Sequence, residues 1–115
     1  MHPDGTLFCL LTSRRKGDEQ IRAGVGLFRS TDEGRTWEDL TGALDIRWTV
    51  DFTVDPRDSR VIYLSVADHL TKATGAWRAG TYVPVGGLYK TIDGGRNWER
   101  IVRKCSRHAP VAFVR

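Results

Sequence analysis

The sequence has few of the residues that mark cross-linked, metal-binding or membrane-spanning proteins. It contains two cysteines among 115 residues, Cys9 and Cys105, and these are neither the close pair of a metal or redox motif nor a disulfide framework. No apolar run approaches the roughly 18 residues that a membrane span requires. These absences predict a soluble chain with free thiols, without a metal site, a cofactor or a segment that enters a membrane.

We do not expect Met1-His2-Pro3-Asp4-Gly5 to be part of a signal peptide, because these residues have no apolar run behind a basic start. Localisation is therefore open, and a secreted or periplasmic parent protein would carry its signal outside these residues. The formal net charge is +4, but the basic residues are dispersed, with local clusters only at Arg14-Arg15-Lys16 and from Arg100 to Arg107. No helical, RNA-binding or zinc-finger pattern accompanies them, so we expect solvated loop charge and no nucleic-acid partner.

An internal repeat is the main organising feature. Gly26–Leu40 aligns with Gly87–Ile101 without a gap at an offset of 61 residues, and glycine, leucine, aromatic, basic, hydroxyl, Asp, Gly, Arg, Trp and Glu recur in order. The same offset places Val50 and Phe52 over residues near the end of the sequence, Val111 and Phe113. The pattern therefore predicts two repeats and the beginning of a third.

Each repeat contains short apolar runs separated by turn residues, which indicates four strands. In the later repeat we predict a turn at Asp55–Ser59, a long loop at Asp68–Gly86 and four strands, at Trp48–Val54, Val61–Ala67, Leu88–Thr91 and Trp98–Val102. The earlier repeat has Leu7–Leu11 as its second strand and no first strand. Pro110–Val114 is a first strand alone.

Four antiparallel strands per repeat are typical of a β-propeller blade. We therefore predict an all-β fragment of about two blades from a six- to eight-bladed propeller. Its parts are a blade without its innermost strand (1–40), a complete blade (41–104) and the first strand of a next blade (105–115). The partner would be the rest of a longer propeller, which we favour, or further copies of the chain, with one copy's terminal strand completing its neighbour's first blade.

Two turn motifs carry a family resemblance. They are Ser30-x-Asp32-x-Gly34-x-Thr36-Trp37 and Thr91-x-Asp93-x-Gly95-x-Asn97-Trp98. They resemble the Asp-box, or BNR repeat, of sialidases, xyloglucanase-type glycoside hydrolases, sortilin-type receptors and photosystem II assembly factors. A carboxylate can accept backbone N–H groups across such a turn, and glycine supplies a positive φ. We expect a structural role for both motifs, although the second departs from the pattern at Asn97, where threonine is usual.

The resemblance implies that ligands bind at the opposite rim, where Ser13–Val25, Thr41–Arg47 and Asp68–Gly86 would lie. The ligand-binding candidates combine aromatic faces that stack on sugars with groups that bond hydroxyls. They are Arg47, Trp48, His69, Trp77, Arg78 and Tyr82. Asp45 and Asp68 are the catalytic candidates, because a glycosidase needs two carboxyl groups. As alternatives, Trp77 and Tyr82 would anchor their own loop, and Asp45 would be a loop or cap residue.

Two functional classes follow from the resemblance. The first is a carbohydrate-active, glycoside hydrolase-like propeller of the sialidase superfamily, to which these blades contribute structure and glycan-contacting loops. The second is a non-catalytic propeller that binds protein or peptide, as sortilin-like receptors and assembly factors do. The Arg-Ile-Pro segment typical of sialidases does not occur here. Whether the parent is a glycosidase is open, and we expect these residues alone to be inactive.

Overall fold

The computed structural model describes residues 1–16, 19–70, 82–83 and 85–102, and of residues 15, 16, 19, 20, 70, 82 and 83 it describes the backbone. Within these ranges the protein contains eleven β-strands and no helix. Two antiparallel sheets, of three and four strands, form its body, and two short hairpins accompany them. The all-β prediction is confirmed at this level.

The three-stranded sheet has the order β1-β4-β5, with strands β1 (Leu7–Leu11), β4 (Gly26–Ser30) and β5 (Glu38–Asp39). The four-stranded sheet has the order β11-β10-β7-β6, with strands β6 (Thr49–Asp55), β7 (Asp58–Val66), β10 (Gly87–Thr91) and β11 (Glu99–Val102). The hairpins pair β2 (Arg15–Lys16) with β3 (Glu19–Gln20), and β8 (His69–Leu70) with β9 (Tyr82–Val83).

The bounds of the four predicted strands lie within one residue of the observed ones, except at the start of β7, and short hairpins occur in the predicted loop segments. Strand β7 begins at Asp58 instead of Val61, because the β6–β7 ladder continues to the pair Asp55 and Asp58 beside the turn. The predicted loop Asp68–Gly86 contains the β8–β9 hairpin. Two-residue ladders carry too little alternation to be recognised in a sequence. The predicted first strand at 105–115 lies outside the described residues.

Apolar side chains from both sheets pack into a shared core. Leu27 of β4 and Leu40, which directly follows β5, form a buried cluster with Ile62 of β7, and the partly buried Phe52 and Trp98 pack against it. Burial of this apolar surface is the main force that holds the sheets together. A hydrogen bond adds to it, because the Trp98 indole Nε1 donates to the Leu40 carbonyl oxygen at 2.9 Å.

The strand pairing extends the internal repeat to β1 and β7, whose sequences show no clear similarity to each other. Leu27 of β4 pairs with Leu10, and its repeat partner Leu88 of β10 pairs with Ser65. Position 10 therefore corresponds to position 65, and by the same register Cys9 corresponds to Leu64. Strand β1 occupies in its sheet the place that β7 occupies in the other.

Each of the two sheets has two distinct ends, which we call the turn end and the loop end. The turn end holds the turns at 30–37, 55–58 and 91–98, and the loop end holds the segments that follow β1 and β7 and precede β4, β6 and β10. At the loop end the Thr49 N–H donates to the Thr12 carbonyl oxygen at 2.9 Å. At the turn end His2 Nε2 lies 2.7 Å from the Asp55 carbonyl oxygen. Corresponding ends of the two sheets are therefore side by side.

Candidate ligand-binding site

The first polar turn, Ser30–Trp37, is built around one carboxylate. Asp32 Oδ1 accepts from the Ser30 hydroxyl at 2.7 Å and from the Thr36 N–H at 2.9 Å, and Oδ2 accepts from the Thr36 hydroxyl at 2.5 Å. These donors, with the Thr36 hydroxyl foremost, lower the pKa of Asp32 to about 2. Gly34 has a φ of 91°, in the region that favours glycine.

The second turn, Thr91–Trp98, repeats this arrangement with one exchange. Asp93 Oδ1 accepts from the Thr91 hydroxyl at 2.8 Å and from the Asn97 N–H at 2.9 Å, while the Asn97 amide donates to Oδ2 at 2.8 Å. The Asn97 backbone and amide donors lower the pKa of Asp93 to about 2. Asparagine therefore replaces the threonine hydroxyl without loss of a bond. Both carboxylates are ionised and engaged within their own turns, which favours a structural role.

The loop end brings together several of the predicted site residues. Trp48 precedes β6 and forms an isolated antiparallel bridge with Ser13, while its carbonyl oxygen accepts the Ala67 N–H at 2.9 Å. The Trp48 side chain is 36% exposed. Two residues earlier, the buried Ile46 fixes the connection between the sheets in the core. The connection therefore holds Trp48 at the surface of this end.

Charged groups surround a buried histidine at the same end. His69 opens strand β8 and is only 2% exposed, and its Nδ1 has no hydrogen-bond partner within the described part of the chain. Burial lowers the pKa of His69, and the positive charge of Arg47 lowers it further, against smaller opposing effects of Asp45 and Asp68. The imidazole is therefore neutral at pH 7 and presents both a donor and an acceptor nitrogen.

The two catalytic candidates have different surroundings. Asp68 Oδ1 accepts the Gly86 N–H at 2.8 Å, so this carboxylate holds the beginning of β10 in place. Asp45 is exposed and lies 3.8 Å from Arg47 Nε. Neither geometry defines a catalytic pair. Of the remaining candidates, Trp77 and Arg78 lie outside the described residues, as does the side chain of Tyr82, so their predicted ligand contacts stay predictions.

Two arginines hold backbone in place at the loop end, a role that the sequence did not indicate. Arg22 donates to the Thr41 carbonyl oxygen at 2.7 Å and to the Leu44 carbonyl oxygen at 3.2 Å. Arg100 donates to the Gly86 carbonyl oxygen through Nη2 at 2.6 Å. Both side chains fix loop backbone that borders the candidate site. The bonds join residues far apart in sequence, and dispersed basic residues give no signal of them.

A shallow depression of about 550 Å³ lies at the turn end. Its lining includes His2, Asp4 and the turn around Pro56, together with Asp58 and Arg60. The polar groups are already paired: Asp58 accepts two bonds from the Arg60 guanidinium, and Asp4 accepts the N–H of residue 6. The depression therefore offers few groups to a ligand. Among the described residues there is no cluster of three or more metal-ligating side chains, and no helix long and apolar enough to cross a membrane.

The sheets and the repeated carboxylate-centred turn define an all-β protein with two antiparallel sheets. In sequence, the chain is similar to the probable oligoxyloglucan-reducing end-specific xyloglucanase of Neosartorya fischeri, with 34% identity over 81 residues. The similarity covers 67% of this chain and 8% of that protein. It indicates a distant, partial relationship to a glycoside hydrolase. No protein-family model matches the chain, and no solved structure matches it.

Proposed function

We propose that the chain is part of an Asp-box β-propeller in a carbohydrate-active, glycoside hydrolase-like protein. The observation that carries this proposal is the 34% identity to a xyloglucanase over 81 residues. The two carboxylate-centred turns support it, because they recur at a 61-residue offset in a chain made of antiparallel sheets. In this proposal the sheets are structural blades, and the Asp32 and Asp93 turns stabilise them.

The glycan would bind at the loop end. Trp48 supplies an apolar ring at the surface, and sugar C–H faces stack on such rings. Arg47 precedes it in the chain and has N–H groups of the kind that bond sugar hydroxyls, whereas the neutral His69 is only 2% exposed and would support the site from the interior. Trp77 and Arg78 fall between β8 and β9 in the sequence and Tyr82 is the first residue of β9; in this proposal all three contact the glycan as well. Aromatic, cationic and neutral polar groups together suit a polyhydroxylated ligand better than an apolar one.

We assign this region a binding role in preference to a catalytic one. Asp68 is committed to the Gly86 amide, and Asp45 is an exposed carboxylate paired with an arginine. A glycosidase requires a second carboxyl group across the scissile bond. In this proposal at least one member of such a pair comes from another part of the propeller. That the whole protein has hydrolytic activity, including action on xyloglucan, is likewise part of this proposal.

Calorimetric titration with xyloglucan oligosaccharides tests the binding role. Trp48→Ala should weaken binding about tenfold, as expected for loss of an aromatic anchor. Trp37→Ala is the matched control, because Trp37 is a similarly exposed tryptophan at the turn end, and binding should be unchanged. If Trp37→Ala lost binding and Trp48→Ala retained it, the site would lie at the turn end, which would contradict this proposal.

The same titration examines the alternative function. A chain that binds none of a panel of plant and microbial glycans, but does bind peptides, would favour the non-catalytic propeller. The double variant Trp77→Ala, Tyr82→Ala tests the loop separately. Glycan affinity that survives this double change would show that the loop does not contact the ligand, leaving Trp48 and Arg47 as the contact residues.

A further inference from the structure

The backbone of Trp48 is held from two sides at the loop end. On one side it forms an isolated antiparallel bridge with Ser13, and on the other its carbonyl oxygen accepts the Ala67 N–H at 2.9 Å. The next residue reinforces the bridge, because the Thr49 N–H donates to the Thr12 carbonyl oxygen at 2.9 Å. Ser13 follows β1 of one sheet, and Trp48 precedes β6 of the other. The bridge therefore lies at the junction of the two sheets, and both sheets fix its position.

The bridge places the side chains of Ser13 and Trp48 on the same side of the backbone. Residues directly opposite each other in an antiparallel pair share a face, with Cβ atoms about 5 Å apart. Because the bond between Thr49 and Thr12 flanks the bridge, Ser13 and Trp48 form a non-hydrogen-bonded pair, the kind in which side chains approach most closely. Successive side chains of an extended segment alternate, so that of Thr12 lies on the opposite side. The serine hydroxyl and the indole are therefore neighbours.

The polar groups of this pair are not engaged within the protein. The indoles of Trp37 and Trp98 each donate to a backbone carbonyl oxygen. In the part of the chain that the structure describes, neither the Trp48 indole N–H nor the Ser13 hydroxyl takes part in a hydrogen bond. Ser13 is exposed, and Trp48 is 36% exposed. An apolar ring, a donor at its edge and a hydroxyl beside it are therefore accessible together from outside.

We propose that Ser13 and Trp48 form a subsite for one pyranose unit of a glycan. The C–H face of the sugar stacks on the indole, and a hydroxyl at the rim of the same sugar ring bonds the Ser13 side chain. A serine hydroxyl both donates and accepts, so it can pair with a sugar hydroxyl in either direction. This inference rests on the proposed function, and it adds a specific contact residue to that site.

The chemistry of the pair also indicates the class of sugar. Neither side chain carries a charge that would pair with an acidic sugar. A pyranose with equatorial hydroxyls, such as glucose or xylose, has C–H groups on both faces and its hydroxyls at the rim. It can therefore stack through either face and present a hydroxyl to a group beside the indole. An axial hydroxyl, such as that of mannose, leaves only one face suited to stacking. The subsite thus favours neutral sugars with equatorial hydroxyls.

Calorimetric titration with xyloglucan oligosaccharides tests the contact of Ser13. Ser13→Ala should weaken binding about three- to tenfold, as expected for the loss of one hydrogen bond between uncharged groups, and Ser13→Thr should retain most of the affinity. Thr12→Val is the matched control, because Thr12 is an exposed hydroxyl residue one position away on the opposite side of the backbone. Binding by this control should be unchanged. Unchanged binding by Ser13→Ala, or equal weakening by Ser13→Ala and Thr12→Val, would overturn the proposal.

A double variant tests whether both residues contact the same sugar unit. The loss of affinity in Ser13→Ala, Trp48→Ala should be smaller than the product of the two separate losses, because a sugar that no longer stacks no longer reaches Ser13. A loss equal to that product would contradict a shared subsite. Circular dichroism should show that every variant keeps the wild-type fold, so that the comparison reports on binding.

The wild-type chain tests the class of sugar and separates this inference from the proposed function. Oligosaccharides of β-linked glucose should bind more tightly than those of β-linked mannose of the same length, and the reverse order would contradict the assigned class. A wild-type chain that binds no glycan would contradict the proposed function and the subsite together. Binding that Trp48→Ala weakens and Ser13→Ala leaves unchanged would overturn the subsite alone.

Discussion

The two repeat tryptophans offer a direct comparison of the same side chain in two environments. Trp98 packs on the core cluster that contains Leu40, and donates to the Leu40 carbonyl oxygen at 2.9 Å. Trp37 occupies the equivalent turn position but is 45% exposed, with its indole bonded inside its own turn. Replacement by alanine should therefore cost far more stability at position 98 than at position 37.

The magnitude follows from these contacts. Truncation of a buried tryptophan to alanine costs about 3 to 5 kcal/mol, and Trp98 is only partly buried, so we expect about 3 kcal/mol for Trp98→Ala. For Trp37→Ala, which opens no cavity between the sheets, we expect about 1 kcal/mol. The difference of about 2 kcal/mol corresponds to roughly 8 °C in the midpoint of thermal unfolding for a domain of this size.

Urea unfolding followed by far-ultraviolet circular dichroism measures the difference, at protein concentrations where the chain is monomeric. Trp98→Phe adds a useful intermediate, because phenylalanine retains most of the apolar packing and removes the indole donor. Its cost should be about 1 to 2 kcal/mol. Equal destabilisation by Trp37→Ala and Trp98→Ala would show that the sheets are not held together as described.

Three further changes test the turns and the loop end. Gly95→Ala should destabilise the chain by about 1 to 3 kcal/mol more than Gly34→Ala in urea unfolding, since both glycines have positive φ but only a Cβ at Gly95 meets Leu40, at 2.8 Å. The pKa of His69 is lowered in the folded chain, which means that folding disfavours the charged imidazole. The contribution of neutral His69 to stability should therefore be complete above pH 6.5 and be lost as the pH falls through the lower pKa of the folded state. His69→Gln should flatten this part of the stability profile. The pKa of Asp93 is lowered from 3.8 to about 2, so its carboxylate stabilises the fold above pH 3.8 and loses that effect as the pH falls through about 2. Asp93→Asn should reduce the pH dependence of stability in that window. An unchanged stability profile would contradict the hydrogen-bond assignment.

The fold was largely predictable where local chemistry repeats. The 61-residue offset aligns β4 with β10, and the Asp, Gly and hydroxyl residues of both turns specify the bonds that the structure contains. The short hairpins were not predictable, because strands of two residues have no measurable period. The different surroundings of Trp37 and Trp98 could not be foreseen either, since the partner of Trp98 lies 58 residues away and the two motifs read alike.

The candidate site was predictable in part. The choice of Arg47, Trp48 and His69 came from residue type and from the expectation that ligands bind opposite the polar turns. The structure places these residues at the loop end, away from Asp32 and Asp93. Burial of His69 and the roles of Arg22 and Arg100 depend on contacts between distant segments. Such contacts leave no pattern in a single sequence, because any exposed loop can carry an arginine.

The location of ligand binding is most directly measured through the four tryptophan indole N–H resonances, followed by two-dimensional ¹⁵N–¹H NMR during titration with xyloglucan oligosaccharides. The indoles of Trp37 and Trp98 belong to the turn end, and that of Trp48 to the loop end. Binding at the loop end predicts a saturating shift of the Trp48 signal with little change in those of Trp37 and Trp98. Saturating shifts of the Trp37 or Trp98 signal with an unchanged Trp48 signal would contradict a glycan site opposite the polar turns.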